Sequence, residues 1–429
     1  MSTPKPLYAL IDCNNFYASC EKLFRPDLDH RSVIVLSNND GCVVARSKEA
    51  KALGIKMGEP AFKIEHIIER ENIAVFSSNY AFYADISMRV MQTIEHHWPD
   101  MEIYSIDEAF LDLSRLPSTT SPTELCHSIR DAIYQWTGIT VSIGIAPTKT
   151  LAKAANYAAK KYPATGGVVH LETQQRAQKL LQLMPVGEIW GIGPRTTAKL
   201  INMGMETAAD LAGKDPLSMK KRFSVNVART IEELQGNPCF HLEEDPAPRK
   251  QMVCSRSFGE RITQKEAMAQ AVSTYASRVT EKMREQNLQT NHVTVFLRTS
   301  PFNDSLPYYS NAASATIGAP SNDTREIIAM ANQLLDYIWK DGYRYVKAGV
   351  MLSELTPASS RELGLWEDRQ EYDKQQRLMA AIDSINHSGK GRVWFASEGA
   401  SRKQEWKVKR ERLSPSYTTD WSELPVVRL

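Results

Sequence analysis

"YSIDEAFLDL", residues 104–113, sets Asp107 and Glu108 side by side in an otherwise apolar run. An ionised carboxylate loses hydration in an apolar setting and needs a partner there. An Arg or Lys, a helix N-terminus or a metal ion can serve. The longer run "MEIYSIDEAFLDL", 101–113, reads as two strands meeting at Ile106–Glu108. Neighbours on a regular strand face opposite ways, but at a hairpin tip both carboxylates can reach one point. "LYALIDCNNF", 7–16, is a short apolar strand that stops at Asp12, with a helix start at Asn14–Asn15. Asp12, Asp107 and Glu108 then lie at the ends of adjacent strands, an oxygen-rich arrangement suited to Mg²⁺. On spacing alone a second reading stands level with it. Asp12 caps a helix, and Asp107–Glu108 form a turn held by salt bridges.

The chain has 429 residues, 42% of them hydrophobic, enough for about three packed domains. No run of about 20 apolar residues occurs. The N-terminus lacks a signal peptide's basic-then-apolar layout, so a cytoplasmic protein is expected. Net charge is only +2, but it is uneven. Lys149–Lys161 holds four lysines and no acid, and residues 390–412 hold eight Lys/Arg against three Glu. Such stretches either meet phosphates or form solvated faces. The six cysteines are scattered without a C-x-x-C pair, which argues against a disulfide framework and a zinc site.

Strands and helices mix up to about residue 170. "SVIVLSNNDGCVVARS" reads as two strands joined by a turn at Asn38–Gly41, and "KEAKALGIKMGEP" as a helix ending near Gly54 or Gly58. "YADISMRVMQTIEHHW", "ELCHSIRDAIYQWTG" and "TKTLAKAANYAAKK" read as helices, and "TVSIGIA" as a buried strand. Short helices follow. Within "VGEIWGIGPRTTAKL", Gly191-Ile192-Gly193 stands directly before a helix starting near Pro194 and carrying Lys199. A Gly-x-Gly hairpin leaves backbone N–H groups free to hold a phosphate at a helix N-terminus. This is the helix-hairpin-helix pattern, a sequence-independent grip on a nucleic-acid backbone; by itself Gly-x-Gly is only a tight turn.

A charged, Pro-containing linker, "HLEEDPAPRK", introduces a βαββαβ pattern. Met268, Val272, Tyr275, Val279 and Met283 stripe its first helix; Ile327, Ala331, Leu334 and Ile338 stripe its second. Both helices then cover one face of a four-stranded sheet. The other face carries polar and basic residues such as Arg298, either as a nucleic-acid platform or merely solvated. Residues 356–429 show helical stretches but no obvious core, and loose attachment or partner binding is expected.

"DCNNFYASCE", "YSIDEAFLDL", "SIGIAPTKTLAKAANYAAKK" and "VGEIWGIGPRTTAKL" together resemble the Y-family translesion DNA polymerases. "VIVLSNNDGCVVARSKEAKALGIKMG", 33–58, "SSNYAFYADIS", "CSRSFGERIT" and "RYVKAGVMLSEL" are similar to the UmuC-like branch, the catalytic subunits of bacterial DNA polymerase V and their plasmid-borne relatives. The resemblance runs from about Leu7 to the basic tail. It implies a multidomain α+β right-hand fold: palm 1–20 and 77–170, fingers 21–76, helical thumb 171–240, linker 241–247, little finger 248–355 and a partner-binding tail 356–429. It also implies error-prone, DNA-directed DNA synthesis past damaged template bases in the bacterial SOS response. Two Mg²⁺ ions would activate a primer 3′-hydroxyl and stabilise the leaving pyrophosphate.

Roles carry over residue by residue. Asp12, Asp107 and Glu108 match the metal ligands, with the backbone carbonyl of Cys13. Tyr17 matches the aromatic gate that excludes a 2′-hydroxyl, with Phe16 beside it. Lys160 matches the basic residue reaching the triphosphate. Many relatives hold the triphosphate with a Tyr-Glu-Ala-Arg run, where this chain has Lys48-Glu49-Ala50-Lys51. Lysine supplies neither the phenol nor the bidentate guanidinium, so Lys48, Lys51 and Arg46 are all candidates. "ELGLWED", 362–368, resembles the clamp-binding peptide of bacterial polymerases, with Leu363, Leu365 and Trp366 as anchors and Glu362 in place of glutamine. The resemblance further implies a UmuD′-type dimer, a RecA filament and the sliding clamp as partners. A non-catalytic DNA-binding accessory protein and a two-metal nucleotide cyclase are the competing classes. The carboxylate and gate set argues against the first, and the thumb and little-finger patterns against the second.

Overall fold

A computed structural model describes residues 5–243, 248–302, 305–360, 368–389, 391–399 and 406–424. The chain divides into two compact units. The first comprises Met1–Ser37, Gly41–Pro246 and Arg412–Leu429, and the second Asn38–Asp40 and Ala247–Glu411.

In the first unit, β1 (Tyr8–Cys13) is buried along its whole length, as a strand covered on both faces must be. Tyr8 and Leu10 enter one core, while Ala9, Ile11 and Cys13 enter another on the opposite side. After Asn15 in the left-handed region (φ 52°) comes α1 (Phe16–Leu23). β2 (Val33–Leu36), β3 (Val43–Arg46), α2 (Lys48–Ala52), α3 (Glu65–Arg70) and β4 (Ala74–Ser77) follow. They form a small three-stranded sheet of order β3-β2-β4, in which β2 and β4 run parallel. The expected hairpin turn falls at Asn38–Asp40, and the expected helix stops at Ala52, short of Gly54 with its φ of 80°.

Next come α4 (Tyr80–His97), β5 (Met101–Ile103), β6 (Glu108–Asp112), α5 (Pro122–Thr137), β7 (Val141–Ala146), α6 (Lys149–Lys161) and β8 (Val168–His170). Asn79, Ser121 and Thr148 cap α4, α5 and α6 with side-chain oxygens. The main sheet has the order β5-β6-β1-β7-β8. α6 lies close on β7 because residue 144 is glycine. A Cβ there would stand 2.2 Å from both the Ala152 carbonyl and the Asn156 nitrogen. Five short helices complete the unit: α7 (Gln174–Leu183), α8 (Pro194–Asn202), α9 (Ala208–Ala212), α10 (Pro216–Arg222) and α11 (Val225–Leu234). Their apolar faces share the core under α6. The first arm of the expected helix-hairpin-helix is a single 3₁₀ turn, Val186–Glu188.

The second unit contains β9 (Gln251–Ile262), α12 (Lys265–Glu285), β10 (Leu288–Thr299), β11 (Ser310–Ser321), α13 (Thr324–Ile338), β12 (Tyr345–Ser353), β13 (Thr356–Pro357) and α14 (Arg369–His387). Its antiparallel sheet has the order β11-β10-β12-β9, and β13 pairs with the start of β10. All nine apolar stripe residues of α12 and α13 are buried against it. Arg298 is exposed.

The tail is more firmly anchored than its sequence suggests. Arg284 forks onto Asp383 of α14 with two 2.7 Å bonds, Met379 is buried, and Trp406 packs edge-on against Tyr275. Farther on, Ser414 and Tyr417 are buried in the first unit. These anchors are single side chains spaced far apart, so they produce no periodic pattern.

Candidate active site

Strand parity builds the site. Asp12 shares a face of β1 with Tyr8 and Leu10, the face covered by α6. β6 pairs antiparallel with β1, and the register sets Glu108 directly opposite Asp12. Glu108 shares its face with Phe110, which packs in the same core. Two carboxylates therefore meet beneath α6, and α6 answers with lysines. Lys160 Nζ lies 2.5 Å from Asp12 Oδ1, and Lys153 Nζ lies 3.0 Å from both Glu108 oxygens. Burial pushes the Asp12 carboxyl up to about 7; Lys160 draws it down and adjoining Glu108 pushes it up further.

Asp107 sits in the turn just before β6. Its backbone carbonyl accepts from Cys13 N–H at 2.9 Å, and its carboxylate accepts from Ser105 Oγ at 2.6 Å. Among the described residues no three Asp, Glu, His or Cys side chains converge on one point. Lysine ammonium groups sit on two of the expected ligands, and Asp107 is turned to Ser105. The donor set nonetheless fits divalent cations. It is oxygen-only, and two of its carboxylates are adjacent in a place where a cation must balance them.

Asp12 and Asp107 open onto a cleft of about 370 Å³, also lined by Cys13, Phe16, Tyr17, Arg46, Lys51 and Lys160. Tyr17 is half-buried at the second position of α1, with its ring stacked on Tyr83 at 4.4 Å and tilted against Phe16 at 5.8 Å. Lys51 donates to the Asn15 side chain, and burial with neighbouring Arg46 and Lys160 lowers its pKa. Arg46 donates to the Ile55 carbonyl, while its buried Nε has no hydrogen-bond partner among the described residues. Lys48 starts α2 and is exposed, outside the described lining.

Gly191 has a φ of 85°, where L side chains are strained. Gly193 caps α8, and a Cβ there would meet nothing within 4 Å. Lys199 is exposed on α8. Leu363, Leu365 and Trp366 lie outside the described residues. Lys153 was not among the expected site residues. The signal was there: Lys149, Lys153 and Lys160 are spaced four and seven apart, which stacks them on one helix face.

Fold and site together define a nucleotidyltransferase of the Y-family DNA polymerase class. The fold is similar to a Y-family DNA polymerase chimera of Dbh and Dpo4, with a TM-score of 0.64 and 23% identity over 81% of this chain and 98% of that one. The impB/mucB/samB family profile matches residues 11–157, and that family's C-terminal domain matches 249–365. A domain of unknown function matches 376–427. Protein ImpB of Salmonella typhimurium is 51% identical over 99% of this chain and 100% of its own length. Protein UmuC of the same species is 48% identical over 97% and 99%. DNA polymerase IV of Desulfatibacillum aliphaticivorans is 29% identical over 89% and 94%. The chain belongs to the impB/mucB/samB family.

Proposed function

We propose that this chain is an error-prone DNA-directed DNA polymerase that copies past damaged template bases in SOS mutagenesis. The observation that carries the reading is the Asp12–Glu108 pair, set in register beneath the lysines of α6 at the edge of the aromatic- and cation-lined cleft. Asp12, Asp107, Glu108 and the Cys13 carbonyl would hold Mg²⁺. Divalent cations held there would supply Lewis acidity for activating a primer 3′-hydroxyl and positive charge to balance a leaving pyrophosphate. Holding the ions would take Asp12 and Glu108 away from Lys160 and Lys153. Lys160, Arg46 and Lys51, which line the same cleft, would reach the triphosphate. Tyr17 lies beneath the sugar. The Gly191–Gly193 hairpin and Lys199 hold duplex phosphates, and Arg298 adds a backbone contact from the open sheet face. Such contacts fix position without reading sequence.

The partners are primer-template DNA and deoxynucleotides, with a UmuD′-type dimer, a RecA filament and the sliding clamp in the cytoplasm. Among the described residues no helix is long and apolar enough to cross a membrane. Primer extension with Mg²⁺, with and without a UmuD′-type dimer and RecA, tests the reading. Asp12→Ala and Asp107→Ala are each expected to slow nucleotide addition by about a thousandfold or more while duplex binding persists. Near-normal extension by folded Asp107→Ala protein would remove the two-metal assignment.

A further inference from the structure

A steric gate discriminates only if its ring cannot retreat. The ring of Tyr17 is backed by Tyr83, with the planes 17° apart and the centroids at 4.4 Å. Tyr83 is fully buried, and its hydroxyl donates to Glu21 Oε1 at 2.5 Å. The same carboxylate oxygen accepts from Ser414 Oγ at 3.1 Å. Glu21 Oε2 is buried and has no hydrogen-bond partner among the described residues. The carboxylate between Tyr83 and the tail is thus held through one oxygen.

Ser414 reaches Glu21 from the far end of the chain, within a strap that is itself tied down. Ser77 N–H donates to the Arg412 carbonyl at 2.9 Å, and Arg412 N–H donates to Ser77 Oγ at 3.0 Å. Asn79 Nδ2 donates to the Ser414 carbonyl at 3.2 Å and to its hydroxyl at 3.1 Å. Asn79 is also the N-cap of α4, the helix that carries Tyr83. Tyr417 stacks on Phe24 at 4.7 Å and meets Phe82 edge-on at 5.6 Å. The strap therefore grips the C-terminal end of α1 and the N-terminal end of α4, the two helices that carry Tyr17 and its backing ring.

We propose that the strap Arg412–Tyr417 is a positioning element for sugar discrimination, fixing Tyr83 behind Tyr17 through Ser414 and Glu21. This gives a role to part of the 376–427 stretch, and it rests on the reading of Tyr17 as the gate. A loosened strap lets Tyr83 shift. Tyr17 can then yield to a 2′-hydroxyl, while a deoxynucleotide, which does not press on the ring, is handled as before.

The test is single-nucleotide insertion by the full-length chain, comparing kcat/KM for a deoxynucleotide and the matching ribonucleotide. Ser414→Ala, which removes the hydroxyl's bonds with Glu21 and Asn79, and Tyr417→Ala, which removes the ring stack on Phe24, are each expected to lower the deoxy-to-ribo ratio about 3- to 10-fold. The change comes from better ribonucleotide use, with deoxynucleotide efficiency nearly unchanged. Tyr417→Phe keeps the ring stack and the parent ratio. A merely structural strap would instead lower both efficiencies together and leave the ratio in place, which overturns the proposal. If Tyr417→Ala does not fold, Ser414→Ala decides. Tyr17→Ala is the control. If it relaxes the ratio while the strap variants do not, the positioning role alone fails. If it leaves the ratio unchanged, the gate reading falls and the strap's role with it.

Discussion

A ring that rejects ribonucleotides by overlap does so without its phenol. Tyr17 lays its ring face on Tyr83 and meets Phe16 at a tilt. Tyr17→Ala is expected to lower the deoxy-to-ribo ratio by about a hundredfold or more, and Tyr17→Phe to keep most of it. Equal loss in both variants would mark a polar gate. Glu21 offers a second test, in stability. Burial, opposed by the bonds from Tyr83 and Ser414 and by nearby Arg25, raises its pKa from 4.5 to about 7. The folded state therefore binds the proton more tightly than the unfolded state. Stability from this group is greatest below about pH 4.5, falls as pH rises towards 7, and is lost above it, a cost on the order of 3 kcal/mol. Glu21→Gln removes that charge and keeps the accepting oxygen. Its melting temperature is expected to match the parent near pH 5 and to exceed it at pH 8 by roughly 3–6 °C. A constant difference across pH would show that Glu21 ionises normally.

At the scale of elements, much was legible because burial imposes a period. The stripes on α12 and α13 are continuous, and each residue in them is buried. The carboxylates were legible as strand-end residues. Their pairing was not, since the register that sets Asp12 opposite Glu108 is a contact between residues nearly a hundred positions apart. β4 is not legible because its Ala-Val-Phe-Ser is less apolar and less β-branched than the Val-Ile-Val-Leu of β2. Gly144 links this scale to the site. It lets α6 settle on β7, where Asn156 Nδ2 also donates to the Ser142 carbonyl at 2.6 Å. Neither atom that a new Cβ would strike can swing aside, because both belong to the α6 backbone. Gly144→Ala is expected to destabilise the protein by about 3 kcal/mol or more and to weaken extension by moving Lys153 and Lys160. A parent-like denaturation midpoint would mean that the helix does not lie that close to the strand.

At the scale of the whole molecule, the second unit has a core of its own, running from Met252 to Trp406. A fragment of residues 248–411 is therefore expected to fold alone and unfold cooperatively. The informative comparison is with residues 248–355, the span that the family resemblance implies for the little finger. That shorter fragment loses Trp406 from beside Tyr275. It also loses the Asp383 carboxylate that holds Arg284, a pair largely shielded from water, and the 2.7 Å bond from Gln376 to Asn322. Removing a buried tryptophan alone typically costs about 3–5 kcal/mol, and Arg284 would be left with only the Asn322 carbonyl and the Thr324 hydroxyl. The denaturant midpoint of 248–355 is expected to fall well below that of 248–411, with a smaller m-value because less surface is buried. Equal midpoints would return the tail to what its aperiodic sequence suggests, a loosely attached segment. A lower midpoint makes α14 and Trp406 part of the second unit's fold, placing that unit's C-terminal boundary beyond the last strand.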